Sequence, residues 1–236
     1  MYRCPRIKRH KNMNENDIPI IWYIDEDSRD LSLYQALLEK SLPENANLQV
    51  KAIKAFPHLE DYLDILNEPN TVCIIVDQRL KEEGTVDHTG IELAAYLRRL
   101  NEKIPIYILT SYADEREEFE NGEWNVEDVI SKEVIGDKKR RRVFVTRLLR
   151  HLSEYETIRD EKGKRFRELV KKSINEDLTE AEGQELRELD LERLSGILAK
   201  ERIQAEQVSD YLDKTLQEIQ NLKNLLLENK RDSRDG

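Results

Sequence analysis

Cysteine, proline and glycine are all scarce in this 236-residue chain, at two, six and eight residues. Two cysteines, Cys4 and Cys73, make neither a disulfide framework nor a zinc-ligand set, so the expected compartment is reducing and cytoplasmic. So few turn formers argue against a turn-rich all-β fold and permit long helices. Long apolar runs are missing as well. The run at 18–24 is too short to span a bilayer, and no signal-type apolar core follows the basic start MYRCPRIKRHKN. No Gly-rich phosphate loop, Ser/His or Cys/His pairing or helix-turn-helix stands out, so neither an ordinary enzyme nor a DNA reader is the first expectation.

Charge is what the chain has in abundance. Charged residues make up 37% and hydrophobic ones 38%, with a mean hydropathy of -0.75. That balance suits a compact domain joined to exposed helices. The net charge of -10 is unevenly spread: -11 over residues 1–136, +9 over 138–172 and -7 over 173–236. An acidic half followed by one basic segment speaks against nucleic acid as a partner for the whole chain. The KKRRR run at 138–142 could contact phosphates, but it lies where a helix should begin and reads more simply as a solvated face.

Short apolar runs alternate with helical patterns up to about residue 135. IPIIWYI (18–24), LQVKAIKAF (48–56), TVCIIV (71–76), IPIYILT (104–110) and VEDVISK (126–132) read as strands. Between them lie helical patterns: DSRDLSLYQALLEKSL with Ser28 as N-cap, PHLEDYLDILNEP, GIELAAYLRRLNEK and a weaker one over SYADEREEFENG. Strands alternating with helices imply an α/β fold with a parallel sheet covered on both faces. From 137 the strand signal stops. The last helix of the α/β domain is expected to run on past it, and Thr179 with Glu182 marks a further helix start. Three segments result: a basic N-terminal tail (1–17), an α/β domain (18–150) and a helical extension (151–236).

In a parallel α/β sheet the carboxyl ends of the strands converge on one crevice. Reading those ends collects Asp25 and Glu26, Asp77, Thr110 and Lys132. Three carboxylates in close quarters repel unless a cation sits among them, and an all-oxygen site with few protein ligands suits Mg²⁺. An Asp beside such an ion can attack a phosphoryl donor, while Lys132 and Thr110 would meet the transferred group. His58, His88 and His151 lack metal-ligand spacing and are expected to be solvated or half-buried. Trp22 and Trp124 are expected to pack.

With those motifs in hand (the IDED acid pair, the VD, LT and SK strand endings, and the step from Thr110 to Lys132), residues 18–150 resemble the receiver domain of two-component response regulators. The resemblance implies a flavodoxin-like sheet of order 2-1-3-4-5. It implies that Asp77 is the phospho-acceptor, served by a histidine kinase or a small phosphodonor. Asp25, Glu26, Asp77 and the backbone carbonyl of Arg79 would hold Mg²⁺, Thr110 would sense the phosphoryl group and Lys132 would pair with it. The chain departs from the pattern in four places. Glu26 stands where Asp is usual, Glu133 where Pro is usual and Val129 at the usual aromatic switch position, and the loop from Asp77 to Gly90 is lengthened.

The extension carries a heptad pattern over about 194–228. Its seam is Leu198, Ala205, Val208, Leu212, Thr215, Ile219, Leu222 and Leu226. A two-stranded coiled coil, hence a homodimer, and an intrachain hairpin are both consistent with it; four clean heptads favour self-association. Two functions follow. One is a phospho-acceptor whose output runs through protein contacts of the tail. The other is a pseudo-receiver acting as a phosphorylation-independent dimerising scaffold or docking module.

Overall fold

The computed structural model describes residues 18–81, 84–115, 117, 119, 122–194, 198, 212, 214–217, 219, 220 and 223. The chain divides into two compact units, Met1–Gly196 and Ile197–Gly236.

The first unit holds five parallel strands: β1 (Ile20–Asp25), β2 (Gln49–Lys54), β3 (Thr71–Val76), β4 (Ile106–Thr110) and β5 (Asp128–Ser131). Their order is β2-β1-β3-β4-β5, as expected. Every residue of β3 is buried, because the central strand is covered on both faces. Edge strand β2 is only partly covered, with Val50 its one buried residue.

Helices α1 (Ser28–Glu39) and α5 (Lys138–Asn175) cover one face, where Leu38, Phe144, Val145, Leu148 and Leu152 meet Ile21, Tyr23, Cys73, Ile75, Tyr107 and Leu109. Helices α2 (Leu63–Asn67) and α3 (Gly90–Leu100) pack on the sheet with Leu63, Ile65, Leu93, Ala94 and Leu97 buried. A short α4 (Lys132–Gly136) links β5 to α5. The sheet's side-chain period of two explains how Cys73 and Ile75 face α5 while Ile74 and Val76 face away from it.

Several expectations need correction. Asp27, not Ser28, caps α1, accepting the Arg29 N–H, because Ser28 already has a place in the first helical turn. No α-helix forms between β4 and β5 among the described residues: 111–114 are turns and Glu123–Asn125 is a single 3-10 turn. Five acids between 111 and 120 leave that segment without an apolar stripe to bury. Trp124 is 75% exposed and does not pack, whereas half-buried Trp22 donates its indole N–H to Thr71 Oγ1 at 2.9 Å. His88 is fully buried, its Nε2 3.3 Å from the Phe56 carbonyl oxygen, rather than solvated or half-buried.

The KKRRR run is not one solvated face either. Lys138, Lys139, Arg140 and Arg142 are exposed, but Arg141 is buried. Its guanidinium donates to Ser41 Oγ at 2.7 Å and to the carbonyls of Ile135 and Gly136, tying α5 to the end of α1 and the end of α4.

Helix α5 has 38 residues, about 57 Å at 1.5 Å per residue, so it outruns the sheet as expected. Its distal half forms an antiparallel hairpin with α6, helical over 180–194. Thr179 and Glu182 cap α6 reciprocally, with Glu182 N–H to Thr179 Oγ1 at 3.3 Å and Thr179 N–H to Glu182 Oε2 at 3.0 Å. Leu169 is buried in the hairpin, Arg193 stacks on Phe166 at 4.1 Å, and Lys162–Glu192, Arg165–Glu185 and Lys172–Glu182 form cross-helix ion pairs. No helix among the described residues is long and apolar enough to cross a membrane.

In the second unit, Leu198, Leu212, Thr215 and Ile219 of the heptad seam are helical, and Leu198, Leu212 and Ile219 are exposed. Ala205, Val208, Leu222 and Leu226 lie outside the described residues, as does the basic tail 1–17.

Candidate functional site

Strand register assembles the site. Ile24 pairs with Val76, so the next residues, Asp25 and Asp77, stand side by side, and the Asp77 N–H donates to the Ile24 carbonyl at 2.8 Å. On the other side Val76 pairs with Ile108 and Thr110 with Ser131, which sets Lys132 just beyond the sheet edge. Four strands thereby deliver five side chains to one rim, and all five are buried: Asp25, Glu26, Asp77, Thr110 and Lys132.

The Lys132 ammonium is the hub. It lies 2.9 Å from Asp25 Oδ2, 2.9 Å from Asp77 Oδ1 and 2.6 Å from Asp30 Oδ2. Desolvation alone would lower its pKa, but the attraction of Asp77, Asp30 and Asp25 outweighs that and holds the ammonium well above its ordinary range. Burial pushes the Asp77 carboxyl up; Lys132 pulls it back and Asp25 pushes it further up. The second Asp77 oxygen accepts the Arg79 N–H at 2.7 Å.

Gly90 makes this backbone approach possible. A Cβ there would lie 2.2 Å from the Asp77 carbonyl oxygen, so only glycine lets α3 begin where it does.

Glu26 differs from its neighbours. It is buried, and its Oε2 has no hydrogen-bond partner. Burial raises its pKa to about 7, with Asp25 and Asp77 adding to the rise. One oxygen each from Asp25, Glu26 and Asp77 lies within 4.8 Å of the others. An orphaned buried carboxylate oxygen facing two further acids fits a hard divalent cation with oxygen ligands.

Thr110 stands at the same rim, its Oγ1 accepting the Tyr112 N–H at 3.2 Å. The Arg79 guanidinium reaches across the mouth, 3.3 Å above the Tyr112 ring and 2.8 Å from Glu115 Oε2. Val129 sits on β5 opposite Ile108 and is partly buried. Lys132–Glu133 is a trans peptide, and Ser131 caps α4 through the Glu133 N–H.

Two contributors escaped the sequence reading. Tyr23, two residues before Asp25 and therefore on the same face of β1, donates its hydroxyl to Asp25 Oδ2. Burial and the neighbouring acids keep that phenol protonated far beyond its usual range. Asp30, in the first turn of α1 where an acid favours the helix dipole, reaches Lys132 across 102 residues, a pairing that no local pattern signals.

The model of the response regulator receiver domain family matches residues 21–144. The chain belongs to this family. Solved receivers are similar in kind: a CheY-like receiver from Methanospirillum hungatei JF-1 (18% identity, covering 59% of this chain and 98% of that one, TM-score 0.43), the response regulator TrrA from Thermotoga maritima in complex with Mg²⁺ and BeF (17%, 54% and 98%, 0.41), and the receiver of an HD-domain protein from Pseudomonas fluorescens Pf-5 (16%, 64% and 98%, 0.45). No curated protein matches the chain. The matched span runs from β1 to the early turns of α5, and the helical hairpin lies beyond it.

Proposed function

We propose that this receiver is a phospho-acceptor that works with Mg²⁺, served by a histidine kinase or a small phosphodonor, and that its helical tail carries the output through protein contacts. The carrying observation is the acid trio of Asp25, Glu26 and Asp77 with an orphaned Glu26 oxygen, and Lys132 on Asp77 at 2.9 Å. In this reading Asp77 attacks the donor's phosphorus; a P–O bond forms to its carboxylate, and the bond to the donor breaks with its electrons leaving on the donor. Asp25, Glu26, Asp77 and the Arg79 carbonyl would hold Mg²⁺, which when bound neutralises charge on the transferring group. Lys132 then pairs with a phosphoryl oxygen, and the Thr110 hydroxyl, buried at the same rim, donates to another. Turnover is limited to slow hydrolysis of the acyl phosphate. The exposed seam residues Leu198, Leu212 and Ile219 support self-association of the tail as a homodimer.

The second reading, a phosphorylation-independent docking module, draws on different observations: Val129 at the switch position and no α-helix between β4 and β5 among the described residues. Acetyl phosphate with Mg²⁺ separates the two. The phospho-acceptor reading expects a gain of one phosphoryl mass that Asp77→Asn abolishes; an unchanged intact mass in wild type sinks it.

A further inference from the structure

Lys132 has three N–H donors, and each meets a carboxylate. In this state no donor remains for an incoming phosphoryl group. Asp30 is the odd partner. It comes from the first turn of α1 and not from a strand end, it stands outside the converging acid trio, and its bond to Lys132 is the shortest of the three. Its side chain is 32% exposed, against 1% for Asp25 and 7% for Asp77. The Tyr34 ring, 5.5 Å from the ammonium, completes the seat beside α1.

We propose that Asp30 is a positioning residue that shares the Lys132 ammonium with Asp25 and Asp77 at rest and yields it to the phosphoryl group once Asp77 is modified. The phosphoryl half of this inference rests on the reading above; the metal half does not. An ammonium between Asp25 and Asp77 competes with a divalent ion for the same oxygens. A third acceptor shares that ammonium and so weakens its hold on the other two. The same acceptor competes with phosphoryl oxygens for Lys132. Removing Asp30 therefore acts with opposite signs: it disfavours the cation and favours the phosphoryl mimic. General loosening of the site would weaken both.

The test uses the full chain with Trp124→Phe, so that Trp22 alone fluoresces, and follows titrations by fluorescence and calorimetry. Asp30→Asn should raise the Mg²⁺ dissociation constant about threefold to tenfold and lower that of beryllofluoride, at saturating Mg²⁺, by a similar factor. With Lys132→Ala, the same Asp30 substitution should move neither constant. Constants that move together, that stay unchanged, or whose opposite shifts persist without Lys132 would overturn the proposal. A wild type that takes Mg²⁺ but no beryllofluoride would refute the phospho-acceptor reading, and the Mg²⁺ constant alone would then decide the role of Asp30.

Discussion

At the carboxyl rim of the sheet, Lys132 is 10% exposed and faces Asp25 at 1% and Asp77 at 7%. Along the α5–α6 hairpin, Lys162, Arg165 and Lys172 face Glu192, Glu185 and Glu182 with side-chain exposures between 22% and 50%. The chemical pairing is the same, cation to carboxylate, but the surroundings differ. Water screens each hairpin pair and could replace either partner. At the rim there is little water to substitute, so every charge depends on its neighbours, and a change in one is felt by all. The buried group can act as a switch; the exposed ladder chiefly sets which helix faces meet.

Lys132→Met breaks the comparison most directly. It leaves Asp25, Asp77 and Asp30 without their cation, and metal-free unfolding at pH 7.5 should show a loss of about 3–5 kcal/mol, the range for one lost partner of a buried pair. Mg²⁺ should restore part of it, since the ion occupies the same acids. A loss below about 1 kcal/mol in urea denaturation would mean the rim behaves like the hairpin.

Glu26 sharpens the contrast through pH. Its carboxyl has a folded pKa near 7 against an unfolded value near 4.5. A raised folded value means its contribution to stability is fully present below pH 4.5 and is lost as pH rises through about 7. Metal-free Glu26→Gln should therefore match wild type near pH 4 and exceed it at pH 8 by about 1–3 kcal/mol. Melting curves across that range check the sign; a gap that narrows with rising pH contradicts it.

The smallest effect belongs to the hairpin. Arg165→Ala removes a pair whose members are 43% and 41% exposed, and should leave the unfolding midpoint nearly unchanged, less affected still in 1 M salt. A loss comparable with that of Lys132 would show the ladder to be more than a surface feature.

Much of the receiver was legible in its residues. Apolar runs ending on Asp25, Asp77, Thr110 and Lys132 announced both the strands and the rim, because a buried strand of period two must end where polar groups reappear. The amphipathic stripe of α5 and the Thr179–Glu182 box were equally local signals. The misreadings have local causes too. Ser28 and Asp27 are both good caps, and only backbone geometry selects Asp27. The segment after β4 has helix-forming residues but no apolar face to bury, and propensity without packing does not hold a short helix.

By itself, then, the sequence determined the strand–helix alternation, the acids and the lysine at the strand ends, and the overrun of α5, since each depends on neighbours within a turn or a strand. Only the tertiary structure decided that Lys132 is shared with Asp30, that Tyr23 holds Asp25, and that Arg141 turns inward to Ser41 while the rest of its basic run faces water. The Asp30 and Arg141 contacts join residues about a hundred positions apart, and Tyr23 reaches Asp25 only inside a packed face. Such pairings depend on which elements the sheet brings together, which no local pattern encodes.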